Sequence, residues 1–376
     1  MNEYIVIGAD FVPTERNYHF FSENGMTTLI DERTQALLDN AAFRIFNLET
    51  PLTDNNTPID KCGPNLIAPT KTIDGYKRLK VDLLTIGNNH ILDQGDEGFF
   101  STLNTLDNAN IKYVGGGKNL KEASKPYIFE FAKKRIGIYA CVEHEFSMAT
   151  NESCGANPYD PLESFDHVHS LKEQCDYMVV LYHGGKEHYR YPSPELQKVC
   201  RKFVEKGADL IVCQHSHCIG CEEKYLDGTI VYGQGNFLFD YNDSEYWKTS
   251  LLICINDSFK ISYFPIIKDG MGIKAAEKEE CNSILEGFRI RSEEILSSEF
   301  IERNYQTFAD EMISKYCMYY GARISLPFRI INRITNGHFY KFIFNSKYKS
   351  KELRLAIYDF TACESHRELF LKGILK

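Results

Sequence analysis

The chain has little that would mark it for export or for a membrane. None of its 376 residues falls in an unbroken apolar run of the roughly 18 residues that a bilayer crossing needs. The opening MNEYIVIGAD has no basic n-region and its apolar stretch breaks at Gly8, so it does not read as a signal peptide. The expected setting is cytoplasmic, with any recruitment to a membrane left to a partner. Basic residues are in deficit, 43 Lys and Arg against 52 Asp and Glu for a net charge of −9. Proteins that bind nucleic-acid backbone present clustered Lys and Arg, so no nucleic-acid partner is expected. A small anionic substrate stays open, because a local site can oppose the global charge. Cys218-Ile219-Gly220-Cys221 could be a redox pair or half a zinc knuckle, but no second CxxC exists and its place beside His217 favours a structural turn. Gly115-Gly116-Gly117 follows only a short Tyr113–Val114 run and lacks the GxGxxG spacing, which disfavours a Rossmann-type nucleotide enzyme. No internal repeat or low-complexity linker occurs.

What is present is ordinary globular composition, 43% hydrophobic and 25% charged. At about 150 residues per domain, the length suits two domains or one large domain with an appendage. Cys141, Cys175, Cys200, Cys213 and Cys254 sit in apolar or periodic segments, as reduced core thiols do.

Short apolar runs alternate with helical patterns through the first 270 residues. Tyr4–Ile7 predicts a strand ending at Gly8, Thr34–Ala42 a helix, and Arg44–Phe46 and Asp82–Ile86 further strands. A helix over Glu97–Asn108 puts Phe99, Phe100, Leu103 and Leu106 on one side. Ile136–Cys141 and Tyr177–Tyr182 are continuously apolar, which suits strands covered on both faces. Ser193 caps a helix beginning at Pro194, with Leu196, Val199, Cys200, Phe203 and Val204 as its stripe; Gly207 stops it and Asp209–Cys213 is the next strand. This strand–helix–strand unit favours a parallel or mixed sheet. Thr229–Tyr232, Leu251–Asn256 and Phe259–Ile267 read as consecutive antiparallel strands, the last two joined at Asp257-Ser258. After Gly272 the texture turns helical, over Lys274–Ser298 and Phe300–Tyr320, and a basic, aromatic patch, FIFNSKYKSK, lies within Lys341–Lys351. That patch reads as a solvated basic face or as a contact for an acidic polymer or membrane surface. The expected division is residues 1–272 and a mostly helical 273–376.

Ligands of α/β proteins bind beyond the carboxyl ends of strands. The polar residues that follow the strands are Asp10; Asn47 and Glu49; Asn88, Asn89 and His90; His183, Lys186, Glu187 and His188; His215 and His217; Gln234 and Asn236. A lone histidine in such a place is usually a hydrogen-bonded loop residue. In an extended segment, however, His215 and His217 would face one side together. With Asp10, Glu49, Asn89 and His183 they make six N and O ligands, a set suited to Zn, Mn or Fe. Six exceeds one tetrahedral zinc and fits two ions about 3.5–4 Å apart, the geometry of phosphoester hydrolysis. Glu143-His144-Glu145, after the IGIYAC strand, either lines the same rim or is simply solvated.

The ordered blocks GAD (8–10), NLETPL (47–52), IGNNHILDQG (86–95), YHGGKE (182–187), CQHSHC (213–218) and YGQGNF (232–237) resemble the CapA family. Its members are linked to capsule and poly-γ-glutamate biosynthesis and look like calcineurin-type metallophosphatases. The resemblance covers about residues 4–270, and GANPYDPLES and GGKEHYRYPSP extend it. It implies an α/β fold, an αββα metallophosphatase-like sandwich, followed here by the mostly helical C-terminal region. It also implies a dinuclear site: Asp10 and His217 at one metal, Glu49 in the bridging place, and Asn89, His183 and His215 at the other. His90 matches the nearby acid or charge-stabilising imidazole. The pattern departs from the family at Val12, where a histidine often stands, at Glu49, where aspartate is usual, and at Gln214, where a small residue is common.

The expected activity is metal-dependent hydrolysis of a phosphoester or an anionic polymer bond, with two divalent ions (Mn, Zn or Fe) as cofactors. His90 would act as acid, with Asp93 orienting it. Lys186, Glu187, Arg190 and Asn236 would contact substrate; for Asp93, Lys186 and Arg190 a plain surface ion pair competes with that role. The alternative is a non-catalytic component that binds polymer through the same, degenerate, metal site. Either way the expected partners are an anionic polymer or phosphoester and a polymer-synthesis or export machinery.

Overall fold

The computed structural model describes residues 3–22, 24–321, 326–339, 342, 351–362 and 366. Two compact units divide it, Met1–Ile301 and Glu302–Lys376. The basic patch expected in 341–351 lies outside the described residues except at Phe342 and Lys351.

The first unit is built on two mixed sheets. One has the order Gly272–Ala275, Ile261–Asp269, Thr249–Asn256, Tyr4–Val12, Phe43–Asn47, Leu83–Thr85, Lys112–Val114, with Asn236–Phe239 paired to the far end of Tyr4–Val12. The other has the order Glu222–Tyr225, Gly228–Tyr232, Leu210–Gln214, Tyr177–His183, Lys134–Val142, Tyr127–Phe131. In each, the strands that lead to the site run parallel; antiparallel hairpins close both edges of the second sheet and one edge of the first, whose other edge strand, Lys112–Val114, is parallel to its neighbour.

Period-two alternation sorts the strand residues into layers. Ile5, Ile7, Ile45 and Leu83 of the first sheet meet Ile136, Ile138, Val179, Leu181, Leu210 and Val212 of the second. Their neighbours Val6, Phe46 and Leu84 face outward onto Leu38 of the helix Glu32–Asn40 and Phe99, Leu103 and Leu106 of the helix Gly95–Asn108. On the other outer face Tyr139, Val180 and Ile211 pack on Val168 and Leu171 of the helix Ser164–Lys172 and on Val199 and Phe203 of the helix Pro194–Glu205. Both faces of both sheets are thus covered, an αββα sandwich, which is why most of these strands are apolar on both faces. The helix Pro194–Glu205 begins as its residues require: Ser193 Oγ accepts from the Leu196 amide at 3.0 Å and Pro194 occupies the first turn.

Three expectations change. The first strand does not end at Gly8 but runs through Val12, with its register shifting between Asp10 and Phe11. Gly8 is present because a Cβ there would lie 2.1 Å from Phe46 Cε1, so the glycine makes room for a core ring inside the strand. The strand Gly228–Tyr232 does not start an antiparallel series with Thr249–Asn256. It lies in the other sheet, parallel to Leu210–Gln214, and its hairpin partner is the charged edge strand Glu222–Tyr225, whose EEKY has no apolar signal. The chain does not turn helical after Gly272 or at Lys274: Gly272–Ala275 is the edge strand of the first sheet, the helix begins at Lys278, and the compact unit continues to Ile301. The helix Lys278–Glu294 lays Phe288 against Tyr263 (centroids 4.8 Å), and its Arg291 and Ser292 bond Gly220 and Glu222. Further along the chain, Ser298–Gly321, which begins in the first unit, and Leu326–Ile334 and Lys351–Ala362 are helices. Among the described residues no helix is long and apolar enough to cross a membrane.

Gly115-Gly116-Gly117 forms no phosphate loop. Gly116–Gly117 pairs antiparallel with Gly155–Ala156, and a Cβ on Gly115 would lie 2.7 Å from Ala140 Cβ. Cys141, Cys175, Cys200, Cys213 and Cys254 are buried free thiols, and so are Cys218 and Cys221. Burial raises the thiols of Cys218, to about 11, and Cys221, which makes neither a resident thiolate.

Replacing Gly8 by alanine is expected to lower stability by about 1–3 kcal/mol through overpacking. In a Phe46→Leu background the same change should cost less, as measured by urea unfolding; equal costs would remove the ring as the reason for the glycine.

Candidate metal centre

The parallel strands of the two sheets end at one edge, and their last residues face each other there. In register, Asp10 pairs with Asn47 on one side and Asn236 on the other. His183 pairs with Val142 and Gln214. Hydrogen bonds then cross from sheet to sheet. Asn47 Nδ2 donates to Asp10 Oδ1 at 2.7 Å and lies 3.4 Å from His183 Nδ1. His217 Nδ1 lies 3.1 Å from Asp10 Oδ2 and 2.8 Å from Asn236 Oδ1. Asn89 Oδ1 is 3.0 Å from His183 Nε2, while Asn89 Nδ2 donates to Glu145 Oε2 at 3.0 Å. Asn88 Nδ2 donates to Asn47 Oδ1 and to the Leu48 carbonyl, which fixes the GNNH turn against the NLE turn.

The two histidines of the HSH turn are not extended. His215 and His217 have φ of 85° and 52°, left-handed values that side chains seldom adopt. The common facing expected from period-two geometry is produced instead by a strained turn beyond the end of the strand at Gln214. Gly233 makes the room for it: its φ is 110°, and a Cβ there would meet Ser216 Oγ at 2.6 Å.

The result is two overlapping groups whose ligand atoms all lie within 4.8 Å of one another: Asp10, Glu49 and His217, and Glu49, His183 and His215. Glu49 belongs to both. It is fully buried, and neither of its carboxylate oxygens finds a hydrogen-bond donor. His183 Nε2 comes within 3.2 Å of Oε1 but is aligned on Asn89 instead. His215 Nδ1 is likewise buried without a partner. Buried charged oxygens normally have donors, so orphaned acceptors among imidazoles and carboxylates are what a cation site looks like. The donor set fits divalent metal ions.

Electrostatics says the same. Burial, and then the Asp10 carboxylate, push the Glu49 carboxyl up to about 8. Asp10 is held below its ordinary value: burial opposes this, but the bond and charge of His217 outweigh it. Burial also opposes the charge on His217, yet Glu49 and Asp10 raise it to about 10. Burial lowers His183 to about 4, and burial with the imidazoles of His183 and His217 holds His215 well below its usual range. Protons on Glu49 and His217 thus offset the buried negative charge, while His183 and His215 stay neutral.

His90 and Asp93 stand beside this centre. His90 Nδ1 lies 2.6 Å from Asp93 Oδ2, and Asp93 is fully buried. Glu187 is exposed, and its carboxyl is held low because the imidazoles of His215 and His217 outweigh burial. Lys186 is exposed. Arg190 is engaged elsewhere: it donates to the Ile219 carbonyl at 3.0 Å, bonds Glu245 and lies over the Tyr246 ring. Asn236 is buried against His217. Val12, in the place where a further imidazole was looked for, packs with Phe239 and Trp247. Glu143 accepts from the Gly185 amide at 3.1 Å, and Glu145 holds Asn89.

Sequence reasoning passed over three residues. Asn47 was noted only as a strand-end amide, yet it bonds Asp10. Trp247, the one tryptophan of the chain, lies tilted against His217 with centroids 4.6 Å apart and donates to His188 Nε2 at 2.8 Å. Its rarity was the available signal. Lys61 contacts both Asp93 and His90; it sits in a polar loop with no strand before it, so strand-end counting could not reach it.

Residues 6–241 match the family model described as bacterial capsule synthesis protein PGA_cap. The capsule biosynthesis protein CapA of Bacillus anthracis is 27% identical over 223 residues, 57% of this chain and 54% of that protein. The PGA biosynthesis protein CapA of Bacillus subtilis (strain 168) is 29% identical over 202 residues, 52% of each. The chain therefore spans about half the length of the curated relatives it matches. Among solved structures, a novel phosphatase from Mycoplasma pneumoniae aligns over 72% of this chain and 95% of its own, at 15% identity and a TM-score of 0.44.

Two outcomes follow. Titration with Mn²⁺ should change the fluorescence of Trp247, and His217→Ala should lower metal content without unfolding the chain; unchanged metal content would remove His217 from the centre. Because a cation must displace protons from Glu49 and His217, apparent affinity should rise as pH rises from 6 to 8, with proton release measurable by calorimetry in two buffers. A pH-independent affinity would contradict the assignment.

Proposed function

Because the chain belongs to the family of bacterial capsule synthesis proteins matched over residues 6–241, we propose that it is a metal-dependent hydrolase acting on a phosphoester or anionic polymer bond in the making of a capsule or poly-γ-glutamate-type polymer. The observation that carries this is Glu49, fully buried with both oxygens orphaned and common to two ligand groups. Asp10, Glu49 and His217 would hold one divalent ion; Glu49, Asn89, His183 and His215 would hold the other. Mn, Zn and Fe suit such a donor set. When bound, the pair supplies an activated water near neutral pH and offsets charge developing on the substrate oxygen.

The chain's own groups do the rest. Asn47 and Asn236 orient Asp10 and His217. Glu145 orients Asn89. His90, its Nδ1 hydrogen turned to Asp93, has Nε2 to take up a proton and pass it to the leaving group. Lys186, exposed beside the rim, would attract an anionic substrate, whereas Arg190 would brace the loop that carries Tyr246 and Trp247.

A second reading has one observation in its favour. Val12 supplies packing where a further imidazole could have stood, which leaves the Asp10 group with fewer protein ligands and suits a polymer-binding component of a synthesis or export machinery.

Metal content and turnover separate the two. With Mn²⁺ added, bis-p-nitrophenyl phosphate, p-nitrophenyl phosphate and γ-glutamyl substrates should include one that is turned over. His90→Ala should cut that turnover by about 10²–10⁴-fold with metals retained. Full metal content, saturable polymer binding and no turnover on any substrate would overturn the hydrolase and favour the binder.

A further inference from the structure

The side chain of Lys61 is 2% exposed although the loop around it lies at the surface, and that of its partner Asp93 is 0% exposed. Burying an ion pair is not a stabilising bargain by itself, since desolvation of both charges opposes their attraction. The loop has no need of the lysine to close. On both sides of Lys61 it is stitched to Asp93 and Gln94 by other bonds. Thr57 N donates to Gln94 Oε1 at 2.7 Å, Thr57 Oγ1 to the Gln94 carbonyl at 2.8 Å, and Ile59 N to the Asp93 carbonyl at 3.1 Å. Beyond it, Leu66 N donates to Asp93 Oδ2 at 2.6 Å and Gln94 Nε2 to the Leu66 carbonyl at 3.1 Å.

The ammonium contacts Asp93 Oδ1 and lies 3.2 Å from His90 Nδ1. The donor inventory decides what this means. An ammonium has donors only, and a carboxylate acceptors only. His90 Nδ1 lies 2.6 Å from Asp93 Oδ2; two bare acceptors at that distance would repel, so Nδ1 carries a hydrogen. Lys61 and His90 are therefore two donors converging on opposite oxygens of one carboxylate. With Lys61 on Oδ1 and the Leu66 amide on Oδ2, the carboxylate plane cannot turn, and the imidazole that faces it is fixed in ring orientation and tautomer.

We propose that Lys61 is a positioning residue, which acts through Asp93 to hold His90 as the Nδ1–H tautomer with Nε2 as its reacting nitrogen. The proposal rests on reading the rim as a hydrolytic site for its consequence in turnover, but not for its consequence in the state of His90. Removing the ammonium leaves Oδ1 without a donor and lets the carboxylate rotate away from the ring.

The experiment uses the full chain carrying Zn²⁺ and two readouts. The first is the hydrogen-bonded Nδ1 proton of His90 in ¹⁵N-edited NMR, assigned by its loss in His90→Gln. The second is kcat on bis-p-nitrophenyl phosphate with metal content measured alongside. Lys61→Met should lose or broaden the proton signal and lower kcat by about 10–100-fold, the range for residues that orient a site through another side chain, with metal content unchanged. Lys61→Arg, which keeps donors and charge, should restore the signal. A folded Lys61→Met with the signal and kcat of the parent overturns the proposal. Should Lys61→Met fail to fold, the double variant Lys61→Met with Asp93→Asn leaves no uncompensated buried charge. It should be no slower than Asp93→Asn alone, and a further, multiplicative loss overturns the proposal. If the parent turns over no substrate, the hydrolase reading fails while the proton signal still decides the role of Lys61.

Discussion

Two carboxylates, Asp10 and Glu49, are buried side by side at the meeting edge of two sheets, and every neighbour is arranged around that fact. Buried negative charge must be paired, protonated or bound to a cation. Asp10 is provided for by Asn47 and His217. Glu49 is not: its oxygens have no aligned donor and its carboxyl is driven up to about 8. A buried carboxylate without donors is tolerated only when something is gained by it; the proposed cation would be that gain, and the neutral imidazoles beside it, His183 and His215, suit one.

The scaffold makes that strain affordable by being rigid where it matters. Parallel strands covered on both faces cannot slip in register without turning every apolar side chain to the wrong layer. Asp10, His183 and the HSH turn are therefore carried on elements whose positions are set by Ile5, Ile7, Leu181, Val212 and their partners deep in the sandwich. The left-handed backbone of His215 and His217 and the glycine at 233 are local departures from regular structure at the site itself, tolerated because both sheets hold the ends of that turn.

Much of this was legible in advance. The strand-end residues Asp10, Glu49, Asn89, His183, His215 and His217 could be collected because strands end where apolar runs stop, and polar residues there are conspicuous. The apolar parity of Ile136–Cys141 and Tyr177–Tyr182 foretold covered strands. The strand that carries Thr229 was assigned to the wrong neighbours because its pairing partner Glu222–Tyr225 is a charged edge, and hydropathy is silent about edges. The first strand was cut short at Gly8 because a glycine that accommodates a ring across the sheet looks, in one dimension, like a glycine that ends a strand. Lys61 and Trp247 were invisible as site members for a related reason: each reaches the rim from a loop, and loops advertise no direction.

Local sequence determined what each segment would be: which runs are strands, where Ser193 and Pro194 begin a helix, and which polar side chains the strand ends carry. Those are consequences of period, capping and turn chemistry, which act over a few residues. Only the tertiary structure decided that both oxygens of Glu49 are left without a donor, that Asn47 and Asn236 both steady the Asp10–His217 pair, and that Lys61 lies against Asp93. Such relations depend on contacts between residues more than two hundred positions apart in the chain, between Asp10 and His217 for one, and they come into being only when two sheets close on each other and expel the water between them.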